Sequence, residues 1–135
     1  MIVANGQADV TTYFVLRDST NHAPKTSVTI TDIDVYYVEA GAAISAKADL
    51  TAHSAADDAH ADNKGFEIGQ GLYRIDWPDE AFNGGIGKIV TLIVVCTGVD
   101  TTFLDVELSP PVNVKQINSV TLDGAGTAGD PWGPA

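Results

Sequence analysis

The segment GLYRIDWP, in the middle of the chain, constrains the fold more than any other. Its large apolar residues Tyr73, Ile75 and Trp77 alternate with the charged residues Arg74 and Asp76. Successive side chains of a β-strand point to opposite faces of a sheet, so alternation with a period of two predicts a half-buried strand. We expect the three apolar residues to lie in a core and the two charged residues to face outward.

Strand-like segments recur along the chain at short intervals. Residues 10–17 (VTTYFVLR) are rich in β-branched and aromatic residues, and residues 27–38 (SVTITDIDVYYV) alternate with a change of parity near Thr31. That change predicts a bulge, or a turn between two short strands. Residues 88–96 (KIVTLIVVC) are apolar at both parities, which predicts a central strand covered on both faces. In residues 101–109 (TTFLDVELS), inward apolar positions alternate with outward carboxylates.

The spacing of about eight short strands predicts an all-β fold, an immunoglobulin-like antiparallel β-sandwich. The abundance of Thr and Val and the scarcity of Glu, Lys, Arg and Leu also favour strands over helices. The composition changes near Pro110, so we expect a β-sandwich domain over residues 1–110 and an extended C-terminal arm over residues 111–135. The core is expected to bury residues of three strands together: Tyr73, Ile75, Leu92, Val94, Leu104 and Val106.

The charge of the chain bears on its partners. Seven Lys and Arg residues face eighteen Asp and Glu residues, which gives a net charge of −11. Nucleic-acid binding needs clustered basic residues, so we expect no nucleic-acid partner.

The longest apolar run, residues 89–96, is too short to cross a bilayer, and the first residues lack the pattern of a signal peptide, so no membrane association is expected. The single cysteine, Cys96, lies in that run and is expected in the core.

One segment resembles a metal site. It carries His53, Asp57, Asp58, His60 and Asp62 within an Ala-rich stretch that predicts a long loop or a short surface helix. In a helix, His53, Asp57 and His60 would share one face, a spacing able to present ligands to one ion. No HExxH or CxxC motif accompanies them, and the flanking alanines offer nothing to orient the imidazoles. We therefore expect a solvated surface segment and no bound metal.

No motif of the sequence supports catalysis. A GxSxG motif is absent, and the glycines of FNGGIGK do not satisfy the phosphate-loop pattern, since Ile89 follows Lys88. The carboxylates Asp79 and Glu80 follow Pro78, where the first turn of a helix favours negative charge. We therefore expect no catalytic residues and no cofactor, and a protein that is not an enzyme.

The C-terminal arm is the expected partner-binding element. Its one large apolar residue after Leu122 is Trp132, flanked by Pro131 and Pro134. A lone Trp in a polar, Gly-rich segment has no local core to join, and Trp is a frequent interface anchor. We predict that these three residues bind a partner protein; an arm that folds back onto its own domain is the alternative.

Several motifs taken together resemble one group of proteins. They are the YFVLRD strand, the APKT turn, the YYV strand, the AH-D-GF segment and GLYRIDWPDEAF, within residues 10–110. This pattern resembles small structural domains of tailed-bacteriophage virions, and the GDPWGP arm is similar to tails found on such proteins. The resemblance implies a non-enzymatic virion protein, made in the cytoplasm of the host bacterium, with other virion proteins as partners. It transfers no functional residues.

Three functions are compatible with these expectations. The leading hypothesis is a capsid decoration or cement protein that binds the outer capsid shell, as a homo-oligomer or in many copies. A tail, collar or fibre attachment module is the second. A host-surface carbohydrate-binding module is the third, because exposed aromatic side chains can stack on sugars.

Overall fold

The computed structural model of the chain describes residues 1–111 in full, and the backbone of two short strands beyond them. In this part of the chain, β-strands dominate, accompanied by two 3₁₀ turns and no α-helix. The strands are β1 (Ile2–Ala4), β2 (Thr11–Val15), β3 (Asp34–Glu39), β4 (Ala48–Asp49), β5 (Thr51–Ala52), β6 (Lys64–Gly69), β7 (Leu72–Asp76), β8 (Ile89–Val95), β9 (Thr102–Ser109), β10 (Gln116–Ile117) and β11 (Val120–Thr121). The 3₁₀ turns span Ile30–Asp32 and Asp79–Phe82.

Two sheets form the domain. The first has the strand order β1-β9-β8-β3-β4 and the second has the order β2-β7-β6-β5. The expected all-β sandwich is confirmed. Most strand pairs are antiparallel, but β1 pairs with β9 and β5 with β6 in parallel, which the alternation pattern did not indicate.

The core lies between the two sheets and follows the expected parity. Tyr73, Ile75 and Trp77 are fully buried, as are Leu92 and Val94 from the facing sheet. Val106 joins them, whereas Leu104 is only half-buried and packs at the margin of the core. Cys96 is buried as expected, and burial raises the pKa of its thiol.

The expectation that residues 88–96 are covered on both faces is wrong. In β8, Val90, Leu92 and Val94 are buried against the second sheet, while Ile89 is 47% exposed and Ile93 is half-buried. The reason is that β8 is central within its sheet, between β9 and β3, but the outer face of that sheet carries exposed residues such as Ile89 and Phe103.

The parity change in residues 27–38 has a simple structural cause. The 3₁₀ turn Ile30–Asp32 separates a preceding extended segment from β3. The residues that pack toward the core are therefore even-numbered before the turn and odd-numbered after it. The second 3₁₀ turn begins directly after Pro78, where the carboxylates Asp79 and Glu80 occupy its first turn, as the sequence predicts.

Beyond residue 111 the structure describes only the antiparallel pair β10–β11. The predicted arm over residues 111–135 therefore lies almost wholly outside the described residues, and the domain boundary near Pro110 stays a prediction; β9 ends at Ser109. In the described part of the chain, no helix has the length and apolar character needed to cross a membrane.

Candidate functional site

The outer face of the first sheet presents a row of large apolar side chains. The strand register sets Tyr36 of β3 opposite Ile93 of β8, and Ile93 opposite Phe103 of β9. Phe103 is 63% exposed. One end of the sheet adds Ile89 and Ile2, which flank Glu107 in the register. We call this surface the apolar face: Ile2, Tyr36, Val38, Ile89, Ile93, Val95 and Phe103.

Acidic side chains of β9 lie among the residues of the apolar face. Asp105 and Glu107 of β9 are exposed on the same side of the sheet, and the hydroxyl of Thr91 donates a 2.7 Å hydrogen bond to Asp105. These carboxylates match the outward positions that the sequence predicts. Thr91 and Asp105 therefore separate the row Tyr36, Ile93 and Phe103 from the two isoleucines Ile89 and Ile2, and Glu107 lies between those isoleucines.

A cross-strand carboxylate pair lies at the opposite margin of the sheet. Asp34 of β3 stands opposite Asp49 of β4, and the ammonium of Lys47 lies 3.6 Å from the first carboxylate and 3.1 Å from the second. Contact with Asp49 and burial raise the pKa of Asp34. The same contact, together with Lys47, lowers the pKa of Asp49. This margin therefore also carries net negative charge, because one cation serves two carboxylates.

The outer face of the second sheet is organised around a buried carboxylate, Asp76. One of its oxygens accepts hydrogen bonds from the hydroxyl of Thr11 (2.8 Å) and Nε of Arg74 (2.9 Å). The other accepts from Nε2 of His53 (2.7 Å), a second guanidinium nitrogen of Arg74 (2.9 Å) and the backbone N–H of Ala61 (3.1 Å). Burial alone would raise the pKa of Asp76, but the hydrogen bonds from Arg74, His53, Ala61 and Thr11 outweigh it and lower the pKa to about 2.

The loop over residues 53–62 covers this network. The guanidinium of Arg74 donates to the carbonyl of Ala56, and Nε2 of His60 donates to the carbonyl of Val10. Within the loop, Asp58 accepts hydrogen bonds from two successive backbone N–H groups, those of Ser54 and Ala55. The loop is thereby attached to the sheet by side chains that alternate with the core residues of β7.

Two expectations about this region need correction. Arg74 and Asp76 do point to the outer side of their strand, but they are buried, because the loop lies over them. The segment forms a loop, one of the two forms that the sequence predicts, but it is not wholly solvated, since His53 is buried with its Nε2 bound to Asp76. The helical spacing that would present His53, Asp57 and His60 to one ion is therefore not formed. The absence of metal binding stays a prediction.

The groups of the buried network are hydrogen-bonded to one another. The carboxylate of Asp76 is saturated by five donors, and Arg74 and His53 are both committed to it. Such a network holds parts of the chain together, because each polar group would be costly to leave unpaired in a buried position.

A small cleft opens beside β3 and β4. Its volume is about 260 Å³, and its lining includes Tyr37, Ser45, Lys47, Asn63 and Trp77. Within the described residues, Oδ1 of Asn63 is the one buried side-chain polar atom without a hydrogen-bond partner. The hydroxyl of Ser45 and the ammonium of Lys47 are already engaged within the domain. The cleft therefore offers one free acceptor and little else to define a ligand.

The predicted partner-binding residues Pro131, Trp132 and Pro134 lie outside the described residues. The sequence reasoning missed Ile89 and Phe103 as candidate contact residues. A signal for them was present: residues 88–96 are apolar at both parities, and Phe103 has the parity of Asp105 rather than that of the core residues.

Comparisons with known proteins give no match for the chain. No protein-family model, no curated protein and no solved structure matches it.

Proposed function

We propose that the chain is a non-enzymatic structural protein of a tailed-bacteriophage particle, and that it acts as a capsid decoration or cement protein on the outer capsid shell. The observation that carries the binding role is the apolar face. The assignment to a virion is supported by the sequence resemblance over residues 10–110.

The apolar face has the composition of a protein-binding surface. Ile2, Ile89 and Phe103 are 68%, 47% and 63% exposed, and they lie on one side of one sheet. Antiparallel sheets that face water usually show polar side chains on the outer side. Contiguous exposed apolar groups, rimmed by polar ones, mark contact surfaces for other proteins.

The charges around the face define the chemistry of the partner. Asp105 and Glu107 within the face, with Asp34 and Asp49 at its margin, favour a partner surface that carries Lys or Arg beside its apolar groups. A second copy of this chain would bring equal acidic margins together, and the net charge of −11 adds to that repulsion. We therefore propose a different virion protein, a capsid subunit, as the occupant of this face.

The test compares two isoleucines of similar exposure on different sheets. Ile89 on the apolar face is 47% exposed and Ile68 of β6 is 42% exposed. Ile89→Asp is expected to abolish co-sedimentation with purified particles that lack the protein, because it places a charge in the contact. Ile68→Asp is expected to bind like the unchanged protein. Circular dichroism checks that both variants fold, and equal binding of both overturns the assignment of this face.

A charge reversal tests the stated partner chemistry separately. Asp105→Lys within the face should weaken particle binding, whereas Asp57→Lys in the exposed part of the loop should not. Increasing salt should reduce the difference between the two variants, since exposed charges are screened. Stronger binding by Asp105→Lys would show that the partner surface is acidic and would contradict the proposal.

A further inference from the structure

The strand β2 has an open edge. It is the outermost strand of the second sheet, paired with β7 on one side only. The backbone of Trp77 donates to the carbonyl of Val10, and that of Leu16 donates to the carbonyl of Gly71, so the even-numbered residues of this segment bond to β7 and its flanks. Thr11, Tyr13 and Val15 therefore direct their N–H and C=O groups away from the sheet.

Both ends of this edge are set by the fold. At the start, Asp9 adopts a φ of 58° and its N–H donates to a carboxylate oxygen of Asp79, so the chain turns back toward its own domain. At the other end, the N–H of Asp100 donates to the carbonyl of Arg17, so a loop of the first sheet lies beside that residue. The open edge is thus the five residues of β2.

The edge carries none of the usual protection. Natural edge strands are commonly blocked by Pro, by Lys or other charged side chains, or by a bulge. The sequence TTYFV contains neither proline nor charge, and its register with β7 is uninterrupted. Tyr13 and Val15 are 56% and 38% exposed on the outer side of the strand. Within the described residues, three outward N–H groups and three outward carbonyl groups have no partner strand.

We propose that this edge pairs with the β2 strand of a second copy of the chain, antiparallel and around a two-fold axis at Tyr13. In that register Thr11 lies opposite Val15 of the second copy, and Tyr13 lies opposite its own equivalent. Each of the three outward residues then donates one hydrogen bond and accepts one across the axis. The two four-stranded sheets become one continuous sheet.

The charges beside the strand match this arrangement. Asp9 precedes Tyr13 by four residues and Arg17 follows it by four. The two-fold axis therefore brings Asp9 of one copy toward the Arg17 end of the other, where Asp100 of that other copy already lies beside Arg17. Both side chains are exposed, and Asp9 is 73% accessible at its side chain. The strand between them is uncharged, so no like charges face each other across the paired strands themselves.

This inference goes beyond the proposed function and does not depend on it, because it concerns the isolated protein. The first experiment measures amide hydrogen exchange and sedimentation of the full chain over two orders of magnitude in concentration. We expect the N–H groups of Thr11, Tyr13 and Val15 to become protected as the dimer forms. Protection that is present at all concentrations in a monomer would mean that another segment of the same chain covers the edge. That result, or a monomer with no protection, overturns the proposal.

Substitutions at the edge give a second readout. Tyr13→Pro removes an N–H that points away from β7, which an edge strand tolerates, and it should eliminate the dimer. Tyr13→Lys is the companion variant in case proline disturbs folding, and it should also eliminate the dimer. Phe103→Lys on the apolar face is the control and should leave the dimer unchanged. Dimers of normal affinity in both Tyr13 variants contradict the inference.

A charge exchange tests the register. Asp9→Lys alone and Arg17→Glu alone should each weaken dimerisation roughly tenfold, because each brings like charges together. The double variant should recover the original affinity, since the pair is then reversed rather than broken. Additive loss in the double variant rules out the stated register.

Discussion

Nε2 of His53 lies 2.7 Å from a carboxylate oxygen of Asp76, across 23 residues of sequence. An ionised carboxylate only accepts hydrogen bonds, so this nitrogen of the imidazole is the donor. The bond attaches the loop over residues 53–62 to the outer side of β7. Because both side chains are buried, the loop and the sheet are expected to unfold together rather than separately.

Asp76→Asn is expected to destabilise the domain by about 3–5 kcal/mol, since the substitution leaves a buried guanidinium without its counter-charge. Urea unfolding followed by circular dichroism measures this loss. Asp57→Asn, in the exposed part of the same loop, is the control and should change stability by no more than about 0.5 kcal/mol. Equal stability of the two variants would mean that the buried network contributes nothing.

Stability should also depend on pH through Asp76. Its pKa is lowered from the ordinary 3.8 to about 2 in the folded protein, so folding favours the ionised form. The contribution, roughly 2 kcal/mol, is fully present above the unfolded pKa and is lost as pH falls through the folded pKa. The stability difference between the unchanged protein and Asp76→Asn should therefore shrink between about pH 5 and pH 2. A difference that stays constant over this range contradicts the assigned hydrogen bonds.

Two glycines with the same backbone conformation should respond differently to substitution. Gly6 and Gly71 both have a φ of +81°, but a Cβ at Gly71 would lie 2.8 Å from Cβ of Pro24, whereas nothing lies within 4 Å of one at Gly6. Gly6→Ala should cost only the conformational penalty, about 1–2 kcal/mol. Gly71→Ala should cost about 1–3 kcal/mol more, because the contact is with packed atoms. Thermal or urea unfolding of both variants checks this, and equal losses would show that the Pro24 contact relaxes freely.

The sequence predicts which side of a strand a residue faces better than it predicts what lies over that side. The parity of Tyr73, Ile75 and Trp77 was sufficient to place them in the core. The same alternation could not reveal that a loop covers Arg74, because that contact joins residues that are far apart in the sequence. Conversely, Ile93 is apolar like a core residue, yet it faces outward on an uncovered sheet face.

The sequence pattern also could not predict the short strand β1 or the order of the strands. The strand β1 has three residues, too few for an alternation to be read, and it pairs in parallel with β9 at the far end of the chain. The open edge of β2 likewise depends on strand order, which local residue patterns do not specify. These two features arise from chain topology rather than from local residue preferences.

The C-terminal arm is predicted to attach the protein to the particle. Deletion of residues 123–135 is expected to leave the thermal stability of the domain unchanged and to remove the protein from particles, because Pro131, Trp132 and Pro134 are predicted to bind a partner. Trp132→Ala alone should weaken attachment by about 2 kcal/mol or more. Loss of domain stability on deletion would favour an arm that folds back onto its own domain, and unchanged attachment would contradict the partner-binding prediction.

The copy number of the protein in purified phage particles tests the proposed function most directly. Quantitative mass spectrometry against a capsid subunit of known number gives this value. A decoration or cement protein on the outer shell requires hundreds of copies per particle, released without opening the shell. About a dozen copies or fewer would instead place the protein in the tail, collar or fibres, and its absence from purified particles would contradict a virion role altogether.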